Sequence, residues 1–451
     1  MHKNRGSFSN RLGFVLAAAG SAVGLGNIWR FPYLAAKYGG GTFLLIYLIL
    51  VVTFGYTLMT AEITLGRKTR LSAVGAFGAL DKRFNFVGLL GCIVPIIIIP
   101  YYCVVGGWIF KYFGVFITQG AQVAATDDYF GTFIAQPVEP FVLMFAFITI
   151  TAIIVSRGIK TGIETASKFM MPILVILSVI IAIYSCTRPG AWEGVKFYLT
   201  PHLEDLSVNT LLGAMSQMFY SMSLAMGIMI TYGSYMKSDN DIENSVTQIE
   251  WFDTGIAFLA GLMIIPGVFS FSNGDPAALN AGAGLMFVTM PKVFASMSFG
   301  SVIGAAFFAL VIFAALTSSI SLYETVVSIY CDRFHISRNK SCIVVYISTV
   351  GLGALSALGF GVLSNITPLG MTFFDFFDFI SNSVLMPIVA LLTCIVLGWV
   401  LDINIISDEV KTCSAFKREK MFRVMLRWVA PIFLIAILVS SILSAMGIIT
   451  I

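Results

Sequence analysis

Apolar runs of about 20 residues, the length a bilayer core requires, recur along the chain between charged or Pro/Gly-rich breaks. They predict eleven membrane helices, over 12–36, 41–66, 84–117, 141–156, 166–186, 209–233, 250–273, 300–330, 341–360, 372–400 and 428–449. Two of these runs depart from an ordinary span. The first carries Gly20, Gly24, Gly26, Asn27 and Arg30. Glycine costs about 1 kcal/mol against alanine in a helix interior. Unwound backbone at membrane depth is tolerated only where it lines a cavity or binds something, and an intramembrane arginine points the same way. The sixth run places Ser221, Ser223 and Gly227 mid-span, five helices after the first break. Matching interruptions in two halves predict an inverted repeat around a central transport site. Repeat one covers about 12–186, repeat two about 209–400, and one further helix 428–449, within a single transmembrane domain over 1–451. Half-helix N-termini at such breaks attract a carboxylate, and freed carbonyls attract cations.

Composition agrees with a bilayer setting. With 58% hydrophobic and 11% charged residues and a mean hydropathy of +0.92, the chain cannot assemble a soluble surface. The net charge of +4 forms no stripe, so nucleic acid is not a partner, and nothing points to an obligate protein partner. Apart from Arg30, Lys37, Lys111, Arg188, Lys196 and Lys292, the 27 Lys and Arg fall on one side of the predicted spans. The positive-inside rule makes that side cytoplasmic, with the N-terminus inside, the C-terminus outside and the chain in a cell (inner) membrane. Seven cysteines without a CxxC pair read as small packing residues, and His2, His202 and His335 lie outside the apolar runs, so neither a disulfide framework nor a zinc site is expected. No GxSxG elbow and no intramembrane histidine supports an enzyme. The outer loops are 118–140, 187–208 and 274–299, and the last is apolar enough for short helices lying over the bundle like a lid.

A longer pattern then becomes legible. Arg11 to Tyr33, RLGFVLAAAGSAVGLGNIWRFPY, is followed by Gly39-Gly40-Gly41, Glu62, Gly66-Arg67, Tyr101-Tyr102, Thr231 to Tyr235 (TYGSY) and Leu316 to Ser319 (LTSS). This series resembles the neurotransmitter:sodium symporter family, and the helix count resembles its compact bacterial members that carry hydrophobic amino acids. The resemblance implies the LeuT fold: an all-α membrane protein with a 5+5 inverted repeat, unwound helices one and six, and an eleventh helix. It implies sodium-coupled symport of hydrophobic, aromatic or large aliphatic, L-amino acids by alternating access, with two Na⁺ ions. The alternative is an amino acid sensor of the same fold that carries no flux.

The resemblance also implies roles for residues. The first Na⁺ would be held by the Ala22 carbonyl, Asn27, Ser221, Asp253 and the substrate carboxylate; the second by carbonyls of Gly20, Val23 and Ala314 and the hydroxyls of Thr317 and Ser318. All are hard oxygen donors, as Na⁺ requires. Substrate would meet the N–H groups of Leu25 and Gly26, the Tyr102 hydroxyl, and carbonyls of Ala22, Tyr220, Ser221 and Ser223. Ile98, Tyr220, Met226, Ser318, Ser319 and Leu322 would line its side chain. That lining is mostly apolar and lacks a charge, hence the hydrophobic substrate. Asp253 stands where a bacterial leucine-carrying member has Asn, and Ala257 where that member has Glu, so the fixed negative charge has moved and implies chloride independence. Arg30 and Asp378 resemble the outer gate, Arg5 and Asp332 the inner one, with Tyr235 and Glu324 as a second inner latch. Phe8 stands where the family usually has Trp. Gly162 and Pro172 resemble a signal for local unwinding of helix five that opens a water path to the second ion.

Overall fold

A computed structural model describes residues 6–272, 274–275, 279 and 283–445. The principal helices are α1 (Arg11–Ala22), α2 (Gly26–Lys37), α3 (Gly41–Thr69), α4 (Lys82–Thr118), α5 (Glu139–Ser156), α6 (Ile159–Cys186), α7 (Val208–Ser221), α8 (Ile228–Tyr235), α9 (Ile242–Ser272), α10 (Leu285–Ala295), α11 (Gly300–Phe334), α12 (Arg338–Leu358), α13 (Phe373–Val400) and α14 (Glu419–Ser444). Among the described residues nine are long and apolar enough to cross a membrane. The α1–α2 pair passes only together, bent by 53°, and α7 and α8 form a second interrupted pair around residues 222–227. Counting α1–α2 as one span gives ten by length and composition among the described residues; the expected eleventh would have to be the α7–α8 pair, whose two short helices do not pass that test.

Several helices start earlier than their apolar runs. α6 begins at Ile159, α9 at Ile242 and α14 at Glu419, against 166, 250 and 428 expected. The added turns carry Lys160, Glu164, Glu243 and Arg423. Hydropathy marks the part of a helix that meets hydrocarbon, whereas backbone hydrogen bonding continues past it into the polar zone.

Burial separates a central layer from a lipid-facing one. Every residue of α8, and α1 from Gly13 onward, is buried. By contrast α5 and α6 expose Val142, Phe145, Ile153, Phe169, Ile176 and Ile183, as suits an outer face in hydrocarbon. α3 and α8 touch backbone to backbone: a Cβ on Gly66 would lie 1.9 Å from the Ile230 carbonyl oxygen and one on Gly233 2.3 Å from that of Ile63. Next to Gly66, the fully buried Arg67 bonds Glu409 Oε1, in the short helix Asn404–Lys411, at 2.8 Å and the Asn240 carbonyl at 2.7 Å, drawing both connections onto the end of α3. The outer loops contain short helices, Ala121–Ala124, Tyr129–Ala135 and Ala191–Leu199. α10 is held over the bundle by the Tyr112 hydroxyl on the Phe287 carbonyl (2.7 Å), by Phe287 stacked on Phe130 (5.0 Å) and by Lys292 on Asp127 (2.7 Å); the segment before it lies mostly outside the described residues. All seven cysteines are free. Cys92, Cys103, Cys342 and Cys394 pack in the interior, but Cys413 is exposed.

Candidate functional site

The two breaks face each other. α1 ends at Ala22, Val23 turns extended, and α2 begins at Gly26, so the first N–H groups of α2 have no acceptor four residues back. α7 ends at Ser221, and Ser223, Ala225 and Gly227 then take φ of 53°, 58° and 71°. Left-handed backbone costs an L-residue roughly 1–2 kcal/mol. The surroundings hold it in place: Glu62 Oε1 accepts the Ala225 N–H at 2.7 Å, and Ser223 Oγ donates to the Ser21 carbonyl at 3.0 Å. Gln217 Nε2 donates to the Gly26 carbonyl at 2.9 Å, tying the second break to the first. Glycine at 24 and 26 is demanded by proximity, since a Cβ would lie 2.7 Å from Ser318 Oγ and 2.8 Å from Tyr220 Cδ1 respectively. Relief of the strained alanine is testable: Ala225→Gly should stabilise the purified protein by up to ~1 kcal/mol, read as a higher melting midpoint, and a lower midpoint would contradict it.

A cavity of about 30 Å³ lies between the breaks, lined by the expected Ala22, Leu25, Gly26, Ile98, Tyr102, Tyr220, Ser221, Ser223, Met226, Ser318 and Leu322, and also by Ser21, Gly24 and Ile228. Ser319 is not on this wall. Its hydroxyl bonds Thr151 Oγ1 at 3.0 Å and the Leu316 carbonyl at 2.9 Å, because one residue along α11 turns the side chain about 100° away from Ser318, toward α5. The buried Tyr102 hydroxyl lies beside the Leu25 N–H and Ser318 without a well-formed hydrogen bond to either. No charged side chain lines this cavity, which as it stands has room for little more than water.

Beside it, Asp253 is fully buried. Its carboxylate accepts from Asn27 Nδ2 (2.7 Å), Ser221 Oγ (3.0 and 3.1 Å) and the Tyr47 hydroxyl (3.3 Å), all neutral donors. Tyr47 is absent from the residues singled out above; within an apolar run its ring reads as packing. A buried carboxylate surrounded only by neutral groups favours a cation. On the other side of α1, Ser318 Oγ reaches the carbonyls of Gly20 (3.5 Å), Ser21 (3.1 Å) and Val23 (3.3 Å), and Thr317 Oγ1 donates to Ala314 O at 3.0 Å. These are hard oxygens without protein charge. No cluster of three His, Cys, Asp or Glu able to hold a metal occurs among the described residues.

Arg30 and Asp378 both line a wider cavity of about 400 Å³ that begins beyond Tyr102 and Tyr220. They do not pair directly. Arg30 bonds the Ser216 hydroxyl (2.8 Å) and carbonyl (3.3 Å) and lies over the Tyr220 ring, while Asp378 accepts from Tyr101 (3.1 Å) and Asn382 (2.6 Å). The cavity separates them. The opposite end is shut. Phe8 is fully buried, edge-on to Phe14, Tyr232 and Tyr235, and its ring plugs this end. Tyr235 donates to Glu324 Oε1 at 2.7 Å, and Arg338, which the sequence reading did not single out, bonds the same carboxylate at 2.9 Å. Arg5 lies outside the described residues; Asp332 accepts the Ser72 N–H at 2.7 Å. α6 is wound through both Gly162 and Pro172, with a widened first turn over Ile159–Glu164.

Known proteins are similar to this chain in sequence and fold. A profile of the sodium:neurotransmitter symporter family matches residues 5–130 and 133–448. The uncharacterized sodium-dependent transporter YhdH of Bacillus subtilis is 34% identical over 96% of this chain and 97% of its own. An uncharacterized sodium-dependent transporter of Haemophilus influenzae is 31% identical over 98% of this chain and 99% of its own. The crystal structure of MhsT in complex with L-phenylalanine superposes with a TM-score of 0.87 at 37% identity, over 97% of this chain and 100% of that one. With two broken helices joined across a buried carboxylate and a family match over nearly its whole length, the chain belongs to the sodium:neurotransmitter symporter family and is a multi-pass, sodium-dependent transporter of the LeuT fold.

Proposed function

We propose that the protein takes up hydrophobic L-amino acids, aromatic or large aliphatic, together with two Na⁺ ions, without need of chloride. The observation that carries this reading is the buried Asp253, held by neutral donors only, beside a cavity between the two helix breaks that no charged side chain lines. One Na⁺ would sit among Ala22 O, Asn27, Ser221 and Asp253 and complete its shell with the substrate carboxylate; the other would use Gly20, Val23, Ala314, Thr317 and Ser318. Since the carboxylate ligates the first ion, neither binds well alone, and that mutual need is the coupling. The N–H groups of Leu25 and Gly26 and the Tyr102 hydroxyl beside them suit the carboxylate. The neutral wall suits an apolar side chain, as does MhsT, solved with L-phenylalanine. Because the cavity is tight, entry of a ring requires Met226, an unbranched and adaptable side chain, to swing aside.

Transport then proceeds by alternating access. Ions and substrate enter through the wide cavity between Arg30 and Asp378, which closes over them; the turn at Gly162 and Pro172 loosens, the second ion leaves toward the basic, cytoplasmic face, and substrate follows. A membrane potential adds about 2.3 kcal/mol per charge per 100 mV. The test is flux. Proteoliposomes with an inward Na⁺ gradient should accumulate labelled L-phenylalanine in chloride-free buffer, and a K⁺ gradient should not drive it. Na⁺-dependent binding without accumulation would favour the sensor; uptake that requires chloride would remove the role given to Asp253.

A further inference from the structure

α1 and α6 lie side by side with their chains running the same way. Gly13 meets Glu164 and, seven residues on in both helices, Gly20 meets Met171. The fit depends on bare glycine: a Cβ at Gly13 would stand 2.3 Å from Glu164 Oε1, and one at Gly20 3.2 Å from Met171 Sδ. At one end of this seam the Gly20 carbonyl reaches Ser318, within the oxygen cluster assigned above to the second ion. At the other end lies Glu164, 1% exposed. Its Oε1 takes Lys168 Nζ at 2.6 Å, one turn along its own helix, which would suffice to neutralise it. Its Oε2 instead reaches across to the Ser9 N–H at 2.8 Å. Ser9 follows Phe8, the ring that plugs the closed end, and precedes Asn10, whose side chain caps α1 through the Gly13 N–H at 2.9 Å. The Ser9 carbonyl is held by Lys237 Nζ at 2.6 Å.

Glu164 also closes the widened first turn of α6. Gly158 there has φ 91°, and its single carbonyl receives the N–H groups of both Gly162 and Ile163 at 3.1 Å. Shared acceptors and a glycine start make this turn easier to open than a regular one. We propose that Glu164 is a positioning residue of the inner gate: its carboxylate clamps the Phe8–Asn10 segment, and with it α1, to the first turn of α6, so that opening this turn is what releases α1. The proposal rests on the reading of Gly162 and Pro172 as a hinge, and extends it by naming the part that the hinge moves.

The experiment is hydrogen–deuterium exchange on the full-length protein in nanodiscs, in Na⁺ and in K⁺, for the wild type and for Glu164→Ala, Glu164→Gln and Lys168→Ala. Loss of a hydrogen bond to a charged acceptor should speed exchange of the 9–14 amides about tenfold in Glu164→Ala. Glu164→Gln keeps an acceptor for Ser9 and should retain most of the protection, and Lys168→Ala should leave these amides close to wild type. Unchanged exchange at 9–14 in a folded Glu164→Ala protein would overturn the clamp. So would an equal rise in every helix, or an equal effect of Lys168→Ala. Na⁺-driven uptake by the wild type is measured on the same preparation: its absence would count against the transport reading and leave the exchange data to decide the clamp.

Discussion

Asp253→Asn is expected to lose Na⁺-driven uptake by roughly a hundredfold or more in chloride-free buffer, and added chloride is expected to restore part of it. The carboxylate is fully buried and supplies the only negative charge among the side chains converging there. At ~3 Å and an effective dielectric near 20, removing a unit charge from beside a cation costs several kcal/mol, and ~2.7 kcal/mol already corresponds to a hundredfold. Asparagine keeps the shape and leaves the cation uncompensated. The partial rescue follows from the same donors. The hydroxyls of Ser221 and Tyr47, which point at the carboxylate from 3.0 and 3.3 Å, are the groups that would hold a chloride once that charge is gone. Uptake assays at matched Na⁺, with gluconate replacing chloride, decide it. Equal activity of wild type and variant without chloride would show that the charge is not used.

Glu62→Ala should abolish most uptake through a different route, by releasing the second break. Glu62 is 1% exposed, one of its oxygens accepts the Ala225 N–H at 2.7 Å, and the other has no partner in the chain. Alanine leaves a buried N–H unpaired at a left-handed residue, a penalty of about 1–3 kcal/mol, enough to depopulate the binding-competent backbone roughly tenfold or more. Glu62→Gln retains an acceptor and should keep most activity. Measured side by side, the alanine variant should lose substrate affinity and melt at a lower midpoint than wild type, whereas Glu62→Gln should stay close to wild type in both. Affinity unchanged in Glu62→Ala would mean that Ser223 and Gln217 alone hold the break.

Much of this protein can be read before any coordinate is known. The apolar period, set by bilayer thickness, yields the helices. Glycine spacing in the first run and small polar residues in the sixth mark where helix cannot persist in lipid, since both follow from local backbone cost. What local signals leave open depends on neighbours remote in sequence. Nothing near Tyr47 tells that its hydroxyl meets Asp253, nor does anything near Arg338 place it on Glu324; both contacts arise only when distant helices cross. Ser319 shows the converse: adjacent to Ser318 and chemically identical, it faces another helix, because a rotation of about 100° per residue assigns neighbours to different walls. Arg30 and Asp378 carry opposite charges at one mouth, yet whether they touch depends on the width of the cavity between them, a property of packing and not of composition. The chain's residues determine where it enters the membrane and where it must break; the tertiary fold decides which broken ends meet, since side-chain contact is set by the angle and distance between helices that the linear order does not contain.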